Sequence, residues 1–354
     1  MVQSRIALAC PLPASETAAS SGDGERMTDT LFEAYLRQYD DPAWAGFVEA
    51  LRPSTHEIDR NATRIWFAFH PVSLQQALAD AVDGEKLVRK LQLQGVWQLK
   101  DRIDSSHHFL YGHRYWPAVK QAVVERAEST CPPRTLNAVD QVLELAGEAA
   151  ARLSVDRSLL VGIVAAALMT LQQVGLTAFR TASGAVHLDP SAARRTPDKV
   201  LRARARNDAQ GAFGFLKGDR KSWTVTFDEQ DPHATFRLIN SQHLTTAAAA
   251  DTRDHRARDP RCTEGPIPVE CRTASCGTCW VGVLGGAEKL SAVDELERRR
   301  IREFGYIDTD EPKPIIRLAC MAQAYGAVSI VIPSWNGIFG KYVRNQRTQA
   351  VETK

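Results

Sequence analysis

The stretch that decides the C-terminal fold is Cys271-Arg-Thr-Ala-Ser-Cys276-Gly-Thr-Cys279, a C-x4-C-x2-C run. A fourth cysteine, Cys320, ends the sequence Arg317-Leu-Ala-Cys320. The chain has seven cysteines in 354 residues, which is too few for a disulfide scaffold. Cysteines clustered in this way, in a chain without a convincing secretion signal, indicate metal ligation rather than disulfide bonding.

The spacing of these four cysteines matches that of plant-type [2Fe–2S] sites, in which two sulfide-bridged irons need four soft terminal ligands. Small residues lie between the cysteines, namely Ala274, Ser275, Gly277 and Thr278. They allow backbone N–H groups to approach the sulfur atoms, where hydrogen bonds help to set the reduction potential. Zinc and four unrelated cysteines are the alternatives, although zinc prefers paired C-x2-C units and only one is present. Cys262, nine positions before the run, is expected to be a bystander.

Residues 223–333 resemble the plant-type ferredoxin domain, which has a β-grasp fold. The matching segments are Cys-Arg-x-x-Ser-Cys-Gly-x-Cys, the strand and turn at 280–286, Leu290-Ser291, Arg-Leu-Ala-Cys and the closing strand at 328–333. The resemblance implies that Cys271 and Cys276 bind one iron, and that Cys279 and Cys320 bind the other. It also implies one-electron transfer as the activity.

Three features depart from the pattern of that family. Ala274 occupies a position where the family usually has glycine. The gap before Cys320 is longer than in chloroplast-type carriers, which predicts an enlarged helix and loop over residues 292–314 beside the cluster. The domain is nearly neutral, whereas chloroplast-type carriers are acidic. We therefore expect a fixed place within a complex rather than electrostatic docking onto a basic reductase.

The composition excludes several classes of function. The 44 basic and 42 acidic residues give a formal net charge of +2, which offers no reason to expect a nucleic-acid partner. The sequence has no G-x-G-x-x-G between a strand and a helix, no P-loop and no haem-attachment C-x-x-C-H. It also lacks the flavin-site motif of ferredoxin reductases. A protein that oxidises NADH for one-electron carriers needs a flavin, so we do not expect that activity here.

The first half of the chain predicts mostly helices, and residues 159–179 are its most apolar segment, without a single charge. This length could just cross a bilayer. However, Thr170, Gln172 and Gln173 would be costly to bury in hydrocarbon without partners. We therefore expect a fully buried central helix, with contact to a membrane or a partner subunit as the alternative.

The alternation of apolar residues at 223–227 predicts a strand, and residues 234–239 predict its antiparallel partner. These patterns predict an α+β protein in which a mostly helical domain precedes the ferredoxin-like domain. Its four parts are a disordered tail at 1–28, an α-helical domain at 29–212, a [2Fe–2S] β-grasp domain at 213–335 and a C-terminal extension at 336–354. The tail has little to bury, and Met27 is an alternative start that would omit residues 1–26.

The helical domain offers weaker candidate sites. His107, His108 and His113 lie among aromatic residues and could bind a metal, a haem or a quinone headgroup, although we expect ordinary structural roles. His56 and Asp59 are about one helical turn apart, which is typical of a solvated pair or a helix cap. We assign catalysis to none of these residues.

Together these features predict a one-electron transfer protein with a [2Fe–2S] cluster, acting as a subunit or dedicated partner of a larger redox complex. The expected partners are redox proteins or complex subunits, and the expected location is the cytoplasm, including the surface of a membrane-bound complex. One alternative is an oxidoreductase whose helical domain holds its own cofactor or substrate site. The other is an iron–sulfur sensor or scaffold.

Overall fold

The computed structural model describes residues 29–129, 137–206, 221–306 and 311–340. The predicted tail at 1–28 lies outside these ranges, as does the predicted extension from residue 341 onward.

The described residues before position 207 are mostly helical, as the hydrophobic pattern predicts. Their helices are α1 (Leu31–Arg37), α2 (Asp41–Leu51), α3 (Glu57–Phe69), α4 (Val72–Ala79), α5 (Gly84–Lys90), α6 (Trp116–Ala127), α7 (Ala138–Leu153), α8 (Ser158–Thr181), α9 (Pro190–Ala193) and α10 (Pro197–Ala205). Side chains satisfy the first free N–H groups of several helices. Thr30 and Glu33 form a capping box at α1, and Asp40 caps α2.

Helix α8 is the centre of the helical part, with α1, α3, α6 and α7 packed around it. The side-chain amide of Gln172 accepts a hydrogen bond from Trp44 Nε1 at 2.6 Å, and that of Gln173 donates to a backbone carbonyl at 2.9 Å. Within the described ranges, α8 is the one helix long and apolar enough to cross a membrane, and 78% of its most apolar window is buried inside the molecule. The helix is central, as predicted, and it is mostly rather than fully buried.

Strands dominate the described residues after position 220, with one short strand before them. The strands are β1 (Gln94–Gly95), β2 (Ser222–Thr226), β3 (Thr235–Ile239), β4 (Gln242–His243), β5 (Trp280–Gly285), β6 (Ile316–Leu318), β7 (Gln323–Ala324), β8 (Val328–Val331) and β9 (Trp335–Asn336). Two further helices lie among them, α11 (Leu244–Ala248) and α12 (Glu295–Phe304).

Five of these strands form a mixed sheet in the order β3-β2-β8-β5-β6. Strand β2 runs antiparallel to β3 and parallel to β8, while β5 is antiparallel to both β8 and β6. The predicted pair of strands around Trp223 and Leu238 is confirmed, and these two residues lie opposite each other. The fold class is α+β, as predicted.

One hydrophobic core extends from the helical part into the sheet. Strand β1 pairs with β9, and Trp335 Nε1 donates to the carbonyl oxygen of Phe69 at 2.7 Å. Gly282 of β5 faces Ile65 of α3 so closely that a Cβ atom on Gly282 would lie 2.4 Å from Ile65 Cγ2. The helical part and the sheet are therefore packed against each other, while the domain boundary near residue 212 stays a prediction.

Candidate iron–sulfur site

Two of the four predicted cysteine ligands are brought together by the pairing of β5 and β6. Cys279 directly precedes β5, and Cys320 lies just beyond the end of β6. The register places Trp280 opposite Leu318, and the N–H of Ala319 donates to the carbonyl oxygen of Cys279 at 2.9 Å. This antiparallel pairing sets Cys279 beside Cys320, although the two are far apart in sequence.

The four sulfur atoms form two pairs. Cys271 interacts with Cys276, and Cys279 interacts with Cys320, in each case through the two thiol groups. The first pair is half-buried, whereas the residues of the second are only 2% and 5% exposed. Two pairs suit two irons. A single tetrahedral zinc needs four ligands around one point, and within the described part of the chain no three His, Cys, Asp or Glu side chains are grouped to hold one metal ion.

The loop between Cys271 and Cys276 directs backbone N–H groups toward the sulfur atoms. The N–H groups of Thr273 and Ser275 lie 3.5 and 3.2 Å from Cys271 Sγ. The N–H of Ala274 stabilises the thiolate of Cys320 in the other pair and so lowers its pKa. Such hydrogen bonds stabilise thiolates and tune the potential of an iron–sulfur cluster, so the loop fits the predicted cofactor.

The loop follows this path because three of its residues adopt left-handed backbone angles. The φ angles of Arg272, Ala274 and Gly277 are 52°, 58° and 71°. Gly277 also has no room for a side chain, since a Cβ atom there would lie 3.0 Å from the ring of Phe304 in α12. Ala274 accepts the unfavourable angle, and its methyl group is buried. The predicted helix beside the cluster is therefore part of the wall of the site.

The surroundings make the sulfur atoms within each pair unequal. Burial opposes ionisation of Cys271, but hydrogen bonds from loop N–H groups and from the Cys276 thiol lower its pKa to about 6. Burial raises the pKa of Cys276. In the buried pair, the hydrogen bond between the two thiols lowers the pKa of Cys320 and raises that of Cys279. Within each pair one thiol therefore ionises more easily than the other, and metal binding releases the protons that remain.

A fully buried ion pair supports the segment that leads to Cys320. Arg317 forms two 2.8 Å hydrogen bonds to the carboxylate of Glu297 in α12, and the two side chains are 0% and 1% exposed. Arg317 also donates to the carbonyl oxygen of Ser291 at 2.8 Å, while Glu297 accepts from the N–H of Leu318 at 2.8 Å. These contacts fix α12 to β6 and so position Cys320.

Aromatic side chains close the site on its inner side. The ring of Tyr306 stacks on that of Trp280 with 3.5 Å between the centroids. Trp280 follows Cys279 in sequence, and its ring centroid lies 5.6 Å from that of Trp335. The Tyr306 hydroxyl lies 3.5 Å from the carbonyl oxygen of Gly277. These rings lie on the side of the buried cysteine pair that faces the core.

The structure separates the histidine candidates. His107 and His113 are buried with their Nδ1 atoms 2.8 Å apart, and burial together with neighbouring histidines lowers the pKa of both rings, that of His113 to about 4. His108 instead lines a cavity between the helical part and the sheet. His56 caps α3, as one of its predicted roles requires, whereas Asp59 is buried and does not form a solvated pair.

Residues 239–325 match the family model of the 2Fe-2S iron-sulfur cluster binding domain. The match includes all four cysteines, and the family binds a [2Fe–2S] cluster. The C-terminal part of the chain is therefore a [2Fe–2S] ferredoxin-type domain with an electron-transfer role, and the predicted cofactor is confirmed. The mostly helical N-terminal region matches no family model. No curated protein and no solved structure matches the chain.

Proposed function

We propose that Cys271, Cys276, Cys279 and Cys320 hold the [2Fe–2S] cluster, and that the chain serves as an electron-transferring subunit or dedicated partner of a larger redox complex. The observation behind the ligand assignment is the arrangement of the four sulfur atoms as two pairs joined by one loop. When bound, the cluster supplies reversible one-electron chemistry. The residues of the chain hold it and donate hydrogen bonds to its ligands.

The two pairs differ in exposure, which indicates where a redox partner approaches. Cys279 and Cys320 are buried, whereas Cys271 and Cys276 are half-buried beside the exposed residues Arg272 and Thr273. Arg272 is ion-paired with Glu264, so this edge presents balanced charges rather than a single sign. A partner at this edge would be held by shape and close contact more than by long-range attraction, which favours a lasting complex over brief encounters.

The ligand assignment is tested by replacing one sulfur and measuring iron and acid-labile sulfide in the anaerobically purified protein. Cys276→Ser should lose most of both, together with the visible absorption and the electron paramagnetic resonance signal of the reduced cluster. Cys262→Ser is the control, because Cys262 is a neighbouring cysteine outside the proposed ligand set and its thiol donates to the carbonyl oxygen of Pro266 at 3.2 Å. Full iron and sulfide in Cys276→Ser would refute the assignment.

The role within a complex needs a separate test. Size-exclusion chromatography of an extract from the native cell should place the cluster signal well above the 39.1 kDa of the single chain. Purified protein run on the same column provides the control for self-association. A cluster signal that elutes at the monomer mass would remove the complex from the proposal and leave the ligand assignment intact.

A further inference from the structure

A cavity of about 420 Å³ lies between the helical part and the sheet. Its wall includes Arg102 and His108 from the helical side, and Asp228, Arg258 and residues 331–334 from the ferredoxin-type domain. The volume is that of a pocket for a small ligand, and such pockets are common where two parts of a protein meet.

The acidic groups in the wall of this cavity are already paired. Asp228 forms an ion pair with Arg258 and also accepts a hydrogen bond from the N–H of Gln230 at 2.9 Å. Asp259 accepts from Nε and Nη2 of Arg261, the latter at 2.6 Å. Each carboxylate already has an arginine as its ion-pair partner, and neither forms an ion pair with Arg102.

Arg102 is the cation that remains. Its Nε donates to Ser105 Oγ at 3.3 Å, and within the described residues no carboxylate lies in ion-pair range of its guanidinium group. The side chain is partly buried, and burial together with the nearby charge of Arg261 lowers the pKa of Arg102, while the charge of Asp259 acts in the opposite direction. A partly buried guanidinium group without an anionic partner lowers the stability of the fold. An anion that binds it would remove this cost, and its two Nη atoms form a fork that matches the oxygens of a carboxylate or a phosphate.

We propose that the cavity between the helical part and the ferredoxin-type domain binds a small oxyanion, carboxylate or phosphate, through the guanidinium group of Arg102. The bound anion also lies beside Arg258 and His108, so it contacts both parts of the molecule at once. Residues 333–334 of the wall lead directly into Trp335, whose ring packs on Trp280 next to Cys279. The anion site is therefore joined to the inner side of the cluster site by a short run of packed residues, while remaining distinct from it.

In the experiment, potassium phosphate and, in parallel, potassium malonate are added to the purified protein that contains its cluster. Calorimetry measures the binding, and thermal unfolding measures the change in stability. We expect saturable one-site binding of at least one of the two ions, with a rise in the unfolding temperature. Binding of phosphate alone or of malonate alone supports the site and identifies the source of the oxyanion. Binding of neither, or an equal rise in temperature with potassium chloride at matched ionic strength, overturns the proposal.

Variants locate the binding at Arg102. Arg102→Gln should weaken binding by about tenfold or more, because it removes the charge and the fork. Arg102→Lys keeps the charge and should give an intermediate affinity, and it keeps the test valid if the glutamine variant does not fold. Arg89→Gln is the matched control, since Arg89 is exposed and pairs with Glu85. Wild-type affinity in a folded Arg102 variant would refute the proposal.

Discussion

The cluster loop and the helical part solve the same problem, that of satisfying buried polar groups, by opposite means. In the loop, backbone N–H groups donate hydrogen bonds to side-chain sulfur atoms, as that of Ser275 does to Cys271. In the helical part, buried side-chain carboxylates accept hydrogen bonds from backbone N–H groups. Asp59 accepts from the N–H groups of Tyr111 and Gly112 at 2.7 and 2.8 Å, and Glu33 accepts from a backbone N–H of α8 at 2.7 Å.

This difference explains why one region has a recognisable motif and the other does not. A loop that wraps a ligand needs particular small residues at particular spacings, because its backbone must follow one path around the sulfur atoms. A buried carboxylate that accepts hydrogen bonds from the N–H groups of a distant turn needs only the correct position in the folded structure. Its position in the sequence is free, so no short pattern records it.

The largest change in the free energy of unfolding is expected at the buried ion pair of Arg317 and Glu297, which connects α12 to β6 beside the cluster. Arg317→Met leaves the carboxylate of Glu297 buried without its partner and should lower the free energy of unfolding by about 3–5 kcal/mol. Chemical denaturation followed by circular dichroism measures it. The control is Arg89→Met, whose pair with Glu85 is exposed, with an expected change below about 0.5 kcal/mol. Similar losses in the two variants would show that burial does not decide the strength of these pairs.

A pH-dependent effect of similar origin is expected in the helical part, at Asp59. Burial raises the pKa of Asp59 from 3.8 to about 6, against the opposing hydrogen bonds from Gly112 and Tyr111. The folded protein therefore binds this proton more tightly than the unfolded chain, and stability falls as the pH rises through this window. The loss amounts to about 3 kcal/mol at 1.4 kcal/mol for each pKa unit.

The measurement is the difference in unfolding free energy between the wild type and Asp59→Asn at several pH values. We expect the unfolding free energy of the wild type, relative to that of Asp59→Asn, to fall by about 2–2.5 kcal/mol between pH 4 and pH 7, because the asparagine does not titrate. Asp80→Asn, at an exposed position after α4, serves as the control and should follow the wild type. A constant difference between wild type and Asp59→Asn would contradict the assignment of the proton to Asp59.

A smaller effect is expected where the helical part and the sheet meet. Gly282→Ala places a methyl group within 2.4 Å of Ile65 Cγ2 and should lower the free energy of unfolding by about 1–3 kcal/mol. Thermal unfolding measures the change. The control is Gly46→Ala in α2, where nothing lies within 4 Å of the added atom, and it should be neutral or slightly stabilising. If the two substitutions behaved alike, the close approach of α3 and β5 would be wrong.

The smallest effect is expected at Ala274, where the cluster loop departs from the family pattern. Ala274→Gly relieves a left-handed angle worth about 1–2 kcal/mol but removes a buried methyl group worth about 0.8 kcal/mol. The net change in unfolding free energy should therefore stay within about 1 kcal/mol, and the cluster should remain. Gly277→Ala is the opposite test, because its Cβ atom would meet Phe304, and it should lower both stability and iron content.

Parts of the fold and of the site could be predicted from the sequence because they leave local patterns. Alternation of apolar residues identified β2 and β3, and the charge-free run at 159–179 identified the buried helix α8. The four cysteines were recognisable by spacing and by residue type. The pairing of β1 with β9 was not, since strands of two residues have no periodicity. The sequence predicted a helix beside the cluster, but the contacts by which α12 forms a wall of the site became visible only in the structure.

The sequence by itself determined the chemistry of the cluster domain, because soft ligands at fixed spacing and small residues between them suit few other purposes. It also determined several of the longer helices and strands, since these follow from short-range periodicity. The tertiary structure alone decided which sulfur pair is buried, which glycine meets α3 and which arginine in the wall of the cavity has no carboxylate partner among the described residues. These depend on residues such as Arg102 and Arg258, which are distant in the chain and meet only when the helical part packs on the sheet.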